Sequence, residues 1–299
     1  MANFLLLGIC FICGFLFRKF DKMPAVAPDV LNNFIIYVSL PALIVLHIHS
    51  VKINYDLLVP ISMAWFLFGL AIVFFNVIGS QLKWRRSTIG LVILVCGLGN
   101  TSFLGLPMIE AYFGKEGIPI GLIIDQLGTF MVLSTLGIFL ASYYSGSNFN
   151  NRIILKRIFT FPPFLSVLIA LILLPFDYPH ELVSVLEKLG GTLSPLALFS
   201  VGYQISLTHL NSYKLELAVG LLFKLILAPA VIYFIYQFIA REKDLTFNVT
   251  IFEAAMPPMI TAAIVASEFK LNKELAAMLV GIGIIISFFT LFLWWMFLV

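Results

Sequence analysis

The sequence predicts an all-α integral membrane protein. Its ten transmembrane helices are expected to form two inverted repeats of five, with helices four and nine broken. Three observations predict this. First, 61% of the residues are hydrophobic and only 11% are charged, where a soluble domain carries roughly 25% charged residues. So much apolar surface cannot be hidden in one globule, so lipid must be the solvent. Second, the apolar residues fall into ten stretches separated by short polar connections. Third, two of those stretches are interrupted at mid-length by helix breakers, Gly97-Leu98-Gly99-Asn100-Thr101-Ser102-Phe103-Leu104-Gly105-Leu106-Pro107 and Met256-Pro257-Pro258. A broken helix in lipid leaves backbone amides and carbonyls unpaired, which is tolerated only against protein or a wet cavity.

A window of about 19 residues places the spans at 2–18, 29–49, 57–80, 88–112, 117–144, 161–176, 181–207, 214–239, 247–268 and 274–298. The first span is apolar from Phe4 to Phe17, and its basic residues Arg18, Lys19 and Lys22 come afterwards. A signal peptide has the opposite order, so this is read as a retained helix. The longest polar connection divides the chain into a first repeat (1–145), a cytoplasmic linker (146–160) and a second repeat (161–299). Basic residues cluster after odd spans: Arg18, Lys19, Lys22; Lys83, Arg85, Arg86; Arg152, Lys156, Arg157; Lys214; Lys270, Lys273. After even spans stand only Lys52, Lys115, Arg241 and Lys243, with Lys188 near a span start. Basic loops stay in the cytoplasm, so both termini are expected outside. Five spans per half then force the halves into opposite orientations.

Internal similarity supports the division. Ser39-Leu40-Pro41-Ala42-Leu43 in span two echoes Ser194-Pro195-Leu196-Ala197-Leu198 in span seven. Aligning Phe113 with Phe269 sets Thr101 opposite Pro257, so the two breaks fall at one depth. Breaks at matching positions of two halves are the pattern of a binding site in an inverted-repeat transporter.

Ionisable groups at mid-bilayer cost about 2.5–3.5 kcal/mol each, which makes them functional candidates. Asp125 in span five is read either as the holder of a coupling ion or proton, or as a structural partner for the first break. Its repeat counterpart is Gly281, which cannot ionise. Gln126 adds local polarity beside it. Asn100, Thr101 and Ser102 either satisfy their own broken backbone or join a freed helix N-terminus in holding an anion. Met256, Pro257, Pro258 and Thr261 at the second break offer backbone polarity and shape. Lys224 in span eight is read as attracting a carboxylate or as pairing with Glu253 or Asp125. Glu253 stands one turn before Met256.

The remaining polar residues receive plainer readings. Glu110 and Glu268 lie near span ends, where they are expected to be solvated or interfacial. His47 and His49 stand two apart and face different sides of a helix, so they are read as interfacial and not as a metal site. Asn32 and Asn33 cap a helix or line a vestibule, and Pro41 and Pro195 are kinks. Asn248-Val249-Thr250 fits a glycosylation triplet but lies too close to a span. Cys10, Cys13 and Cys96 are small hydrophobes, and no disulfide framework is implied.

Asn100-Thr101-Ser102-Phe103-Leu104-Gly105-Leu106-Pro107, the stretch from Ser194 to Gly202, and Glu253-Ala254-Ala255-Met256-Pro257 resemble the auxin efflux carrier family, whose bacterial members include malonate-type permeases. The resemblance covers essentially the whole chain. It implies the fold shared with bile-acid symporters and sodium/proton antiporters. Spans one, two, six and seven would form a scaffold, and spans three to five and eight to ten a moving transport domain, with spans four and nine crossing at their breaks. Asn100 and Pro107 match the family's first-break positions, and Pro257 the second. The chain lacks the long central loop of plant members and has Pro257-Pro258, not an asparagine near the second break. Neither a two-asparagine clamp nor auxin is therefore expected.

The expectation is a secondary transporter of small organic anions, mono- or dicarboxylates, working by alternating access. Asn100, Thr101, Ser102, Pro107, Met256, Pro257, Pro258 and Thr261 would contact the substrate. Asp125, Lys224 and Glu253 would couple transport to Na+ or H+, and no other cofactor is implied. The alternative is a cation/proton antiporter of the same fold, against which a lone buried acid argues weakly. An enzyme would need a nucleophile–base pair or a metal-ligand spacing such as HExxH, and neither is present in the sequence. The net charge of +3 forms no basic patch, so nucleic acid is not a partner. A bacterial inner membrane and a scaffold-mediated homodimer complete the expectation.

Overall fold

The computed structural model describes residues 2–48, 57–146, 159–204, 213–239 and 244–299. All regular elements among them are helical: α1 (Ala2–Lys19), α2 (Ala27–Ile48), α3 (Leu58–Gln81), α4 (Arg86–Gly97), α5 (Leu106–Phe113), α6 (Lys115–Ser145), α7 (Pro162–Leu173), α8 (His180–Gln204), α9 (Lys214–Phe238), α10 (Leu245–Ala254), α11 (Ile260–Glu268) and α12 (Lys273–Leu298). Six of these, α2, α3, α6, α8, α9 and α12, are long and apolar enough to cross a membrane. Length explains why the stretches 88–112, 161–176 and 247–268 give no qualifying helix. Stretch 88–112 is split into α4 and α5, and stretch 247–268 into α10 and α11. A helix of 12 residues such as α4 reaches only about 18 Å, against a hydrocarbon core of about 30 Å. His49, residues 147–158 of the expected linker, and the basic residues Lys52, Arg152, Lys156, Arg157, Arg241 and Lys243 lie outside the described residues, as does the side chain of Glu268.

Local chemistry sets several helix ends. The Asp244 carboxylate accepts from Phe247 N–H at 2.8 Å to start α10, and Asn272 Oδ1 accepts from Leu275 N–H to start α12. Helices α5 and α6 end on Gly114 (φ 76°) and Gly146 (φ 72°), a backbone region open to glycine. Widened, π-type turns interrupt α2 at Ile35–Ser39 and α9 at Phe223–Leu227. Each lies just before a proline, Pro41 or Pro229, which removes a backbone donor. Pro229 strips the carbonyl of Leu225 of its helical partner, and the Trp294 indole N–H donates to that carbonyl at 3.0 Å. In α8 the chain turns at Gly191–Thr192, just before Pro195.

The chain divides into two compact units. The first comprises Met1–Asn54, Ser102–Leu122 and Lys156–Ile205. Its α1 and α8 touch backbone to backbone. A Cβ on Gly14 would stand 2.1 Å from the Phe199 carbonyl oxygen, and one on Gly202 would stand 2.2 Å from that of Phe11. Small residues allow this approach where lipid supplies no hydrophobic drive between helices. Asn32 lies inside α2 and not at its start, so it does not cap the helix, and its Oδ1 accepts from buried Ser200 Oγ at 2.7 Å. Glu110, expected to be solvated or interfacial, is half-buried and accepts from Ser194 Oγ at 3.1 Å. The two line a cavity of about 110 Å³ together with His47, Lys115 and Glu187.

The second unit comprises Tyr55–Thr101, Ile123–Leu155 and Ser206–Val299. Its centre is the broken helices themselves. In α4 every residue from Thr88 to Gly97 is buried, and in α10 so is every residue from Val249 to Ala254. A helix apolar and buried all round belongs inside a bundle. Phe223 stacks on Phe74 at 4.8 Å and meets Phe75 edge-on, which seats the widened turn of α9. The stretch 88–112 is thus divided between the units, Ser102–Leu122 clustering with the first.

Candidate functional site

The two breaks meet inside the second unit. The chain leaves α4 at Leu98 in extended conformation (φ −118°, ψ 142°), and Met259 is extended as it enters α11. The extended segments run antiparallel, with Gly99 opposite Pro258. Asn100 N–H donates to the Pro257 carbonyl at 2.9 Å, and Met259 N–H donates to that of Val95 at 3.2 Å. Each break thereby satisfies the backbone that the other exposes, which a buried segment requires. Pro257 and Pro258 have no N–H to satisfy. Gly99 is confined: a Cβ there would lie 3.3 Å from both the Glu253 carbonyl oxygen and Lys224 Nζ.

Three charged side chains surround this crossing, all buried: Asp125 at 2% exposure, Lys224 at 1% and Glu253 at 1%. Lys224 projects from the widened turn of α9 and donates to the Ala254 carbonyl at 2.7 Å. That carbonyl closes α10, where the last helical carbonyls lack partners and the helix dipole is negative. The ammonium therefore caps a helix and makes no hydrogen bond to an acid. Asp125 lies in a π-helical stretch of α6, Ile124–Phe130. Its Oδ1 accepts from Thr101 Oγ1 at 2.5 Å and its Oδ2 from Gln126 Nε2 at 2.6 Å. Both Glu253 carboxyl oxygens lack a hydrogen-bond partner, as do Asn100 Nδ2 and Gln126 Oε1. Glu253 is nonetheless close enough to Asp125 and Lys224 to feel both charges. Asp125 is therefore not a lone acid.

Of the sequence-derived candidates, this crossing gathers Asn100, Thr101, Met256, Pro257, Pro258, Asp125, Lys224 and Glu253. Ser102 (half-buried) and Pro107 (buried) belong to the first unit. Thr261 is half-buried in the first turn of α11. Sequence reasoning missed Gly99 as a contact point and Gln126 as a donor to Asp125. Gly97-Leu98-Gly99 was visible as a breaker, but which residue would pair across the crossing was not. Among the described residues no group of three or more His, Cys, Asp or Glu could hold a metal ion.

A family model described as membrane transport protein matches residues 2–295, nearly the whole chain. The chain belongs to this family, that of the auxin efflux carriers. Similar members include an uncharacterized transporter of Methanocaldococcus jannaschii, 26% identical over 97% of this chain and 96% of its own. Another, from Methanothermobacter thermautotrophicus, is 25% identical over 95% of this chain and 93% of its own. A Rhizobium meliloti relative named "Putative malonate transporter" is 22% identical over 94% of this chain and 89% of its own. The family membership and the apolar helices together make this a multi-pass membrane transporter.

Proposed function

We propose that this family member is a secondary transporter of small organic anions, of the mono- or dicarboxylate class. The observation that carries the reading is the crossing itself. Two broken helices meet in the buried centre of one unit, beside an unpartnered Asn100 amide and the Lys224 ammonium. A donor amide and a cation with no acid bonded to it suit a carboxylate. The name of the Rhizobium meliloti relative points to the same substrate class.

The ten apolar stretches are read as ten spans in two inverted repeats, and the antiparallel pairing of Gly99 with Pro258 supports the inversion. The first unit, with spans one, two, six and seven, is the proposed scaffold, and the second the moving part of an alternating-access cycle. Both termini are placed outside a bacterial inner membrane, with a homodimer through the scaffold. The cation/proton antiporter stays as the second reading because Glu253 joins Asp125 as a buried acid.

A thermal-shift screen of the purified protein tests the reading, with malonate, malate, succinate, lactate and indole-acetate, with and without sodium, at two pH values. A ligand that binds the folded state raises its apparent stability. A carboxylate shift that disappears in Asn100→Ala supports the anion carrier. A response to sodium or pH alone, lost in Asp125→Asn, supports the antiporter.

A further inference from the structure

The reading above leaves the coupling ion and its carrier open, and this inference rests on that reading. Asp125 and Glu253 are both buried carboxyls, and the charges of Asp125 and Lys224 both act on Glu253, yet the surroundings of the two acids differ. Each oxygen of Asp125 accepts a hydrogen bond, from Thr101 or from Gln126. Donors on both oxygens favour the charged form. Glu253 has a donor on neither oxygen. A buried carboxylate without donors costs so much that such a group sheds its charge instead.

The oxygens available at the crossing also discriminate between sodium and a proton. A hard cation takes roughly six oxygen ligands. Four carbonyls at the breaks already have donors: Val95 from Met259 N–H, Pro257 from Asn100 N–H, Glu253 from Met256 N–H and Ala254 from Lys224. Among the described residues, the fully buried side-chain oxygens here without a hydrogen-bond partner are the two of Glu253 and Gln126 Oε1. An ammonium close enough to act on Glu253 would repel a second cation. A proton needs only one oxygen.

We propose that the coupling ion is a proton, that Glu253 carries it, and that Asp125 is a fixed negative charge balancing Lys224. The titratable groups around Glu253 are consistent with this division. Helix α9 supplies Lys224, α6 supplies Asp125 and α4 supplies Cys96, whose thiol lies near Lys224. Helix α3 contains no titratable residue, and those of α12 are Lys273 and Glu274 at its first turn. In the cycle the Glu253 O–H bond breaks when the site opens to one side and re-forms from the other. One proton and no other reactant is exchanged.

Infrared difference spectroscopy of the purified protein near neutral pH reads the carbonyl band of a protonated carboxylic acid directly. The band should be present in wild type, should shift when the protein is labelled with carboxyl-13C glutamate but not with labelled aspartate, and should be unmoved by sodium. It should vanish in Glu253→Gln and persist in Asp125→Asn. The isotope experiment uses wild type only, so a misfolded variant does not spoil it. A shift with labelled aspartate, loss of the band on adding sodium, or no such band would overturn the assignment. In proteoliposomes, malonate-driven proton movement reported by a pH dye should be lost in Glu253→Gln while the malonate thermal shift remains. If wild type binds no carboxylate but keeps the glutamate band, the anion-carrier reading fails and the Glu253 assignment stands.

Discussion

Replacing Lys224 by methionine keeps an unbranched apolar stem of about the same length and removes the ammonium. Four effects compete. The charged hydrogen bond to the Ala254 carbonyl is lost, and a bond of that kind contributes about 1.5–3 kcal/mol. The carbonyl at the buried end of α10 loses its partner, and the charges that act on Glu253 lose their positive member. Against these, the cost of burying an ammonium at 1% exposure disappears. Removing one member of a buried charge set usually destabilises, because the charge left behind is uncompensated. The net expectation is a loss of about 1.5–3 kcal/mol, or a fall in Tm of roughly 3–12 °C at 2–4 °C per kcal/mol. Thermal unfolding of purified Lys224→Met beside Lys224→Arg measures it, the arginine variant retaining donors and falling less. A Lys224→Met Tm at or above wild type would show that the ammonium does not cap α10 and would refute the reasoning.

Other consequences are simpler. Gly202→Ala places a methyl group on the Phe11 carbonyl and should cost at least about 1–3 kcal/mol through overpacking; unchanged thermal stability would contradict the close approach of α1 and α8. Trp294→Phe keeps an aromatic ring, though a smaller one, and removes the indole N–H that donates to the Leu225 carbonyl. It should cost about 1 kcal/mol in wild type and less in a Pro229→Ala background, where Leu225 regains a helical partner. Equal losses in both backgrounds would break the link between the proline and the indole.

The helix ends and the two breaks were legible because they depend on local composition. Apolar stretches gave the boundaries of α2, α3, α9 and α12 to within two residues, and glycine and proline clusters marked where helices stop. The repeat alignment set Thr101 opposite Pro257, and the pairing found is Asn100 with Pro257 and Gly99 with Pro258. What sequence could not give were partners set by packing. Lys224 was offered an acid and holds a backbone carbonyl, because a buried helix end exposes acceptors that no residue type announces. Asp125 was counted as alone because the depth of Glu253 depends on where α10 stops. The link between Pro229 and Trp294 joins different helices and has no local signal.

The most direct test of the central claim is malonate binding to wild type and Asn100→Ala, read by thermal shift in sodium-free buffer. The account predicts a concentration-dependent rise in Tm for wild type and none for Asn100→Ala, whose Tm without ligand stays near wild type. An equal rise in both proteins would place the anion away from the crossing and contradict the account.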